Sequence, residues 1–272
     1  MRRIIDTRQT AEIGQCIYCG RTGGDLSEEH VTPLGLSGLL VLLHASCERC
    51  RNKTSALETT VLRHQMFAAR AALRTRTRHP KEREKPQPML VEKDGEIIKV
   101  EALWQDQWKV IQLPIFPTPA HIDDRPYANG IECISMDQFE LSEKGEEIAQ
   151  RHGADKVLLP KYPIEVFARF IAKMAYGYAI ERYTLDAFEE VYVVSAILGE
   201  TDDIGRWVGC SDLREFPMRQ CNVSVGFKII PRDELIVKLK MFPQFDGAEY
   251  VVVIGRMKRL YINYIHSLGR EG

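Results

Sequence analysis

The sequence predicts an α+β protein in which a small metal-stapled N-terminal unit and a helix precede a larger mixed domain with an antiparallel sheet. Three observations carry this. Two C-x-x-C pairs, "CIYC" and "CERC", fall within the first fifty residues. A charged, proline-containing stretch, "RTRTRHPKEREKPQP", separates the first third of the chain from the rest. Near the C-terminus, apolar runs and alternations are broken by turn-like separators, as in a sheet built of hairpins.

At 272 residues and 44% hydrophobic content the chain is long enough for one large domain, or for a small domain joined to a medium one. The formal net charge of −1 hides a split. Up to Lys85 there are 15 Lys+Arg against 9 Asp+Glu, a balance of +6; the remainder holds 22 against 29, a balance of −7. Any polyanion is therefore expected on the N-terminal third. No apolar run reaches the roughly 18 to 20 residues needed to cross a bilayer, and the start "MRRIIDTRQTAEIGQ" has no apolar signal segment. The expectation is a soluble cytoplasmic protein without membrane contact. Seven cysteines, four of them in two close pairs, suggest metal binding in a reducing compartment.

Taken in order, Cys16 and Cys19 form the first knuckle and Cys47 and Cys50 the second. Two such knuckles can close a tetrahedral four-thiolate site on structural zinc, with Zn–S near about 2.3 Å. The surrounding region is too short and polar to hold itself by apolar burial, which gives the metal a physical purpose. A thioredoxin-like redox pair is the alternative, but no βαβ pattern accompanies it. Cys133, Cys210 and Cys221 are scattered and read as ordinary half-buried cysteines. A helix is expected from about Thr54 to Leu73, with Leu62, Met66, Ala69 and Leu73 on one face and Ser55 with Glu58 as a capping box at its start. Arg63, Arg70 and Arg74 share another face, either a solvated basic surface or a row of phosphate contacts. The expected division is 1–78 for the metal unit with its basic helix, 79–92 for the linker and 93–272 for the α+β domain.

In that last region "YPIEVFARFIAKMAYGYAIERY", Tyr162 to Tyr183, opens with Pro163 and carries Val166, Phe167, Phe170, Met174 and Tyr178 on one stripe, the pattern of a core helix. Residues 185–198 read as a helix ended by Gly199, or as a strand through "VYVV". "CNVSVGFKII", "ELIVKLKMF" and "YVVVIGRMKRLYINYI" read as strands of an antiparallel sheet, with "PRDE" and "PQFDGAE" between them. "DDIGRWVGC" reads as a surface turn anchored by Trp207.

Between the knuckles lies "SEEHVTPLGLSG", and after the second come "TS" and Glu58. The order Cys16, Cys19, Glu29, His30, Pro33, Gly38, Ala45, Ser46, Cys47, Cys50, Thr54, Ser55, Glu58 resembles the HNH endonucleases whose ββα-metal finger is braced by four zinc-binding cysteines. The resemblance covers the first fifth of the chain. It implies a ββα finger, a hydrolase acting on phosphodiester bonds of DNA, His30 as general base on the attacking water, and Glu29 as ligand of a catalytic Mg²⁺ or Mn²⁺. The chemistry is consistent: an imidazole titrates near about 6.5, and a hard carboxylate suits either ion.

The sequence departs from the family where Leu39 and Arg51 stand in place of asparagines, or of a histidine in the second case. Asn52, one place after Arg51, and His44 are the substitutes to weigh, Asn52 as a second ligand and His44 more simply as a surface histidine. Arg51, Lys53, Arg63, Arg70 and Arg74 are expected on phosphate. The alternative function is an impaired zinc finger that binds nucleic acid while the C-terminal domain does the work; in a third, the finger only packs on that domain.

Overall fold

The computed structural model describes residues 8–75, 85–127, 129–159, 161–211, 218–220 and 222–268. Cys221 and residues 76–84, the centre of the charged stretch, lie outside them. The N-terminal unit is built from β1 (Arg8–Glu12), β2 (Ser27–His30), β3 (Leu40–Ser46) and α1 (Glu48–Thr60). β2 and β3 pair antiparallel, His30 opposite Val41 and Ser27 opposite Ser46, while β1 lies parallel to the other edge of β3. Strand, strand and helix thus follow one another in the ββα order, with one added strand.

The tight return between β2 and β3 fixes Gly38: a Cβ there would lie 2.0 Å from the Thr32 carbonyl oxygen, a distance no side chain tolerates. The helix starts at Glu48, six residues before the expected Thr54, and its N-cap lies eight residues before the Ser55 of the capping box. Cys47, extended at φ −78° and ψ 159°, precedes its first turn, and the Arg51 amide donates to the Cys47 carbonyl, so Ser55 and Glu58 sit inside the helix. Nor does it run unbroken to Leu73. It widens into a π-turn at Val61–Gln65, breaks at Met66 and resumes as α2 (Phe67–Ala72). The Leu62 carbonyl at that turn accepts from Arg70 Nη1 at 2.9 Å, which replaces a helical partner.

Residues 87–92, placed in the linker by the sequence, are strand instead: β4 (Gln87–Lys93) pairs with β5 (Glu96–Ala102) through a turn at Asp94 and Gly95. Next come β6 (Val110–Ile115) and its hairpin partner β7 (Ser135–Glu140), then α3 (Gly145–Arg151) and β8 (Lys156–Leu158), which pairs with the other edge of β4. Met89, Val91, Ala102 and Ile148 form a small separate core under this sheet.

α4 (Ile164–Tyr183) forms where the apolar stripe predicts, and it is buried on every side over most of its length, from Phe167 to Ile180. Residues 185–198, left open between helix and strand, are neither throughout: a 3-10 turn at Leu185–Ala187 leads into a strand, β9 (Phe188–Val191), that takes only the first residue of "VYVV", and one helical turn, α5 (Val194–Ile197), follows before a left-handed Gly199. The stretch expected as a surface turn is instead α6 (Ile204–Trp207) and the sheet strand β10 (Val208–Cys210), with Ile204, Trp207, Val208 and Gly209 buried; Trp207 does anchor it, stacking on Tyr192 at 5.1 Å and donating to Asp203 at 2.8 Å.

The expected sheet follows as β11 (Met218–Gln220), β12 (Val223–Ile230), β13 (Glu234–Met241) and β14 (Glu249–Met257), antiparallel throughout, with β10 and β9 both on β14. Past Met257 the sequence reads on as strand, but α7 (Arg259–Leu268) is a helix. Tyr261, Ile262 and Ile265 face the core at helical spacing, while Leu260 and Tyr264 are exposed.

α4 packs on β13 and β14 and also touches α1. One continuous apolar core therefore runs from Cys16 and Val31 of the finger through α4 into the large sheet. Gly177 permits that approach, since a Cβ there would come within 3.1 Å of Val31. Among the described residues no helix is long and apolar enough to cross a membrane.

Candidate metal centre and cleft

The loop before β2 and the first turn of α1 bring the two knuckles together. The sulfurs of Cys16, Cys19, Cys47 and Cys50 all lie within 4.8 Å of one another, and Cys19 and Cys47 are 3.7 Å apart. A tetrahedron with Zn–S of about 2.3 Å has edges of about 3.8 Å, so this separation is that of two thiolates on one ion. It is far beyond a sulfur–sulfur bond of about 2.05 Å, and all four cysteines are free thiols. The donor set fits a metal such as zinc.

The thiols are unequal. Burial raises Cys16 and Cys50; burial also acts upward on Cys47, but hydrogen bonds from the Cys50 backbone and the neighbouring thiols outweigh it and bring Cys47 down to about 7.

The finger also carries a cluster of charged groups where it meets α4. Glu29 at the end of β2 and Glu58 on α1 each place an oxygen 2.7 Å from the ammonium of Lys173, which comes from α4. The Lys173 ammonium also donates to the His30 carbonyl, and the Tyr18 hydroxyl donates to the same Glu29 oxygen at 3.2 Å. Lys173 is 1% exposed and the Glu29 side chain 6%. Burial alone would lower Lys173, but the Glu29 and Glu58 carboxylates outweigh it and hold the group above its ordinary value, charged. Burial, then Glu29, pushes Tyr18 well upward, so it stays a neutral donor.

The divalent ion expected beside Glu29 does not fit this arrangement. An ion on Glu29 would sit close to the ammonium. The Oε1 atoms of Glu29 and Glu58 that it would take as ligands are already engaged by that ammonium at 2.7 Å.

A cleft of about 1270 Å³ opens between the finger and the β4–β5–β8 sheet. Glu29, His30, Arg51, Glu58, Arg63 and Arg70 line one wall, and Lys85, Lys99, Trp108 and Lys161 the other. His30 is half-buried there, at the last position of β2. Arg51, Arg63, Lys85, Lys99 and Lys161 are all exposed.

The remaining expected residues lie elsewhere or are engaged. Asn52 is exposed on α1 and is absent from the cleft wall, so it does not meet Glu29 there. Lys53 and Arg49 both reach Glu200 at 2.8 Å. Arg70 donates to the Gly35 carbonyl at 2.9 Å as well as to Leu62, pinning the loop after β2. Arg74 ends the helix at φ 49°, exposed, and does not line the cleft. His44 pairs with Glu12 at 3.1 Å on the surface, as a plain surface histidine would.

Sequence reasoning missed Lys173 and the far wall. Lys173 did leave a signal: it lies three residues after Phe170, on the apolar side of a helix otherwise uncharged from Phe170 to Ile180. Lys99 and Lys161 left none, being single lysines in an acidic region. The resemblance to the HNH finger thus rests on the residues named above and their ββα order: no family model matches this chain, and no curated protein or solved structure shows significant similarity to it.

Proposed function

We propose that the protein binds DNA in the cleft and hydrolyses a phosphodiester bond there, with His30 as general base. What supports this is one convergence. The ββα unit with its four-cysteine site presents His30 to a cleft whose two walls carry exposed guanidinium and ammonium groups. As the oxygen of water bonds to phosphorus the imidazole takes its proton, and the P–O bond to the leaving oxygen breaks, that oxygen taking a proton from solvent. Arg51 and Arg63 meet the phosphate oxygens, as planar bidentate donors, where charge grows during attack. Glu29 holds no ion in this scheme, and no step runs through Mg²⁺ or Mn²⁺.

A second reading is favoured by one specific observation. With Glu29 already neutralised by Lys173, the cleft retains what is needed to bind a polyanion even if no bond is cut. Binding without cleavage is then the function, and the finger acts as a zinc-stapled scaffold.

The test is nicking of supercoiled plasmid by zinc-loaded protein and by His30→Ala. Loss of nicking in the variant supports the hydrolase, and equal nicking removes His30 from the mechanism. Binding without nicking under any condition leaves the second reading. If four of the exposed cations contact phosphate, affinity falls about 150-fold between 50 and 200 mM salt. Failure to bind at every salt concentration would sink both readings and leave the finger as a packing element only.

A further inference from the structure

We infer that the cation of the carboxylate pair in this cleft is the Lys173 ammonium, so that the site works without a divalent metal ion. The statement about the cation stands on geometry. Its catalytic consequence rests on the phosphodiesterase reading above.

An ammonium has three donors and no acceptor. Here the Lys173 group has three acceptors around it: one oxygen of Glu29, one of Glu58 and the carbonyl oxygen of His30. These are the hard oxygens that a magnesium or manganese ion would take as ligands at about 2.1 Å. The carbonyl and one oxygen of each carboxylate are already engaged by a group that is 1% exposed.

Nor is the lysine loosely delivered. Around it, Tyr178 and Thr32 hydrogen-bond at 2.8 Å, the Tyr176 hydroxyl donates to the Ile17 carbonyl, and Gly177 lies against Val31. Each contact ties α4 to the finger. Through the His30 carbonyl, Lys173 fixes the backbone that carries the base. It does not reach substrate and is a positioning residue. It also joins the two halves of the chain into one site: the finger supplies the carboxylates and the imidazole, and α4 supplies the counter-charge.

The experiment is a Mn²⁺ titration of the full zinc-loaded chain, read by the electron paramagnetic resonance amplitude of free Mn²⁺. Zinc keeps the thiolates occupied, so only oxygen sites report. The wild type is expected to leave the free signal unchanged, and adding Mg²⁺ or Mn²⁺ to the nicking assay is expected to change the rate by less than twofold. A stoichiometric loss of free signal in the wild type that Glu29→Gln abolishes would overturn the inference. In Lys173→Met, provided circular dichroism shows it folded, a loss of free Mn²⁺ signal that the added Glu29→Gln reverses is the expected gain of an ion site.

The wild-type titration decides the matter even if that variant does not fold. It needs no turnover, so failure of the protein to nick DNA bears on the proposed hydrolysis and leaves the identity of the cation to the titration.

Discussion

The cysteine corner and the carboxylate corner belong to the same finger, and each gathers acidic groups that would repel one another if left alone. They are neutralised differently. At the first, four sulfurs within 4.8 Å converge on a point suited to an ion taken from solution. At the second, Glu29 and Glu58 converge on an ammonium that the chain itself carries on α4. The first corner is loaded or empty according to the metal supply and the protonation of its thiols. The second is loaded whenever α4 is docked. One structural unit can thus depend on its surroundings at one corner and be independent of them at the other.

The comparison breaks most visibly by emptying the first corner. Elemental analysis should find about one zinc per chain, and chelation or Cys50→Ser should unfold the N-terminal unit, since structural zinc contributes about 10 to 16 kcal/mol in isolated finger peptides. Hydrogen exchange localised to residues 8–60 is the measurement, and a metal-free protein with that region still protected would contradict the assignment.

The second corner is emptied by Lys173→Met, which leaves two carboxylates facing one another with no counter-charge. Removing one side of a buried ion pair costs about 3 to 5 kcal/mol, so the urea midpoint should fall accordingly. Adding Glu29→Gln should recover part of the loss, a coupling that a double-mutant cycle measures. If the two effects simply add, the lysine is not neutralising Glu29.

A pH series sharpens the same point. Because Lys173 is held above its ordinary value in the folded state, its stabilisation is present in full below the roughly 10.4 at which an unfolded lysine titrates. It is lost as pH rises through the folded value. Stability attributable to this group should therefore be flat through neutrality and decline only in strong alkali, whereas zinc retention should weaken on the acid side as the thiols take protons. The smallest effect belongs to His44→Ala. Its pairing with Glu12 is more than half exposed on both sides, and the change should stay within about 0.5 kcal/mol in denaturant melts.

How much of this was legible in the sequence follows from the distances along the chain. Cys16 with Cys19, and Cys47 with Cys50, carry their meaning in three-residue spacings, so the metal corner could be read without a fold. α4 was legible because its apolar side chains repeat at the helical period. The start of α1 was missed because the Ser55 to Glu58 pattern imitates a cap, while the true first turn is set by Cys47 and the second knuckle. α7 was missed because "LYINYI" has strand-forming residues, although Tyr261, Ile262 and Ile265 already obey helical spacing. Lys173 could not be paired from sequence at all: nothing local tells a buried lysine which of several distant acids it will meet. The far wall of the cleft, with Lys99 and Lys161, was hidden for the same reason, since only the tertiary arrangement brings these lysines to the cleft that Arg63 also lines.

The carbonyl of His30 and the ammonium that holds it are separated by 143 residues of sequence. On a ribosome adding about 5 to 20 residues per second, the finger waits roughly 7 to 29 s between the appearance of His30 and that of Lys173. During that interval zinc can already close the cysteine corner, but Glu29 and Glu58 have no counter-charge and the strand end bearing His30 has no anchor. The order of synthesis therefore lets the cysteine corner close before the carboxylate corner can, and a chain cut short before α4 would carry the finger's sequence signature without a finished cleft.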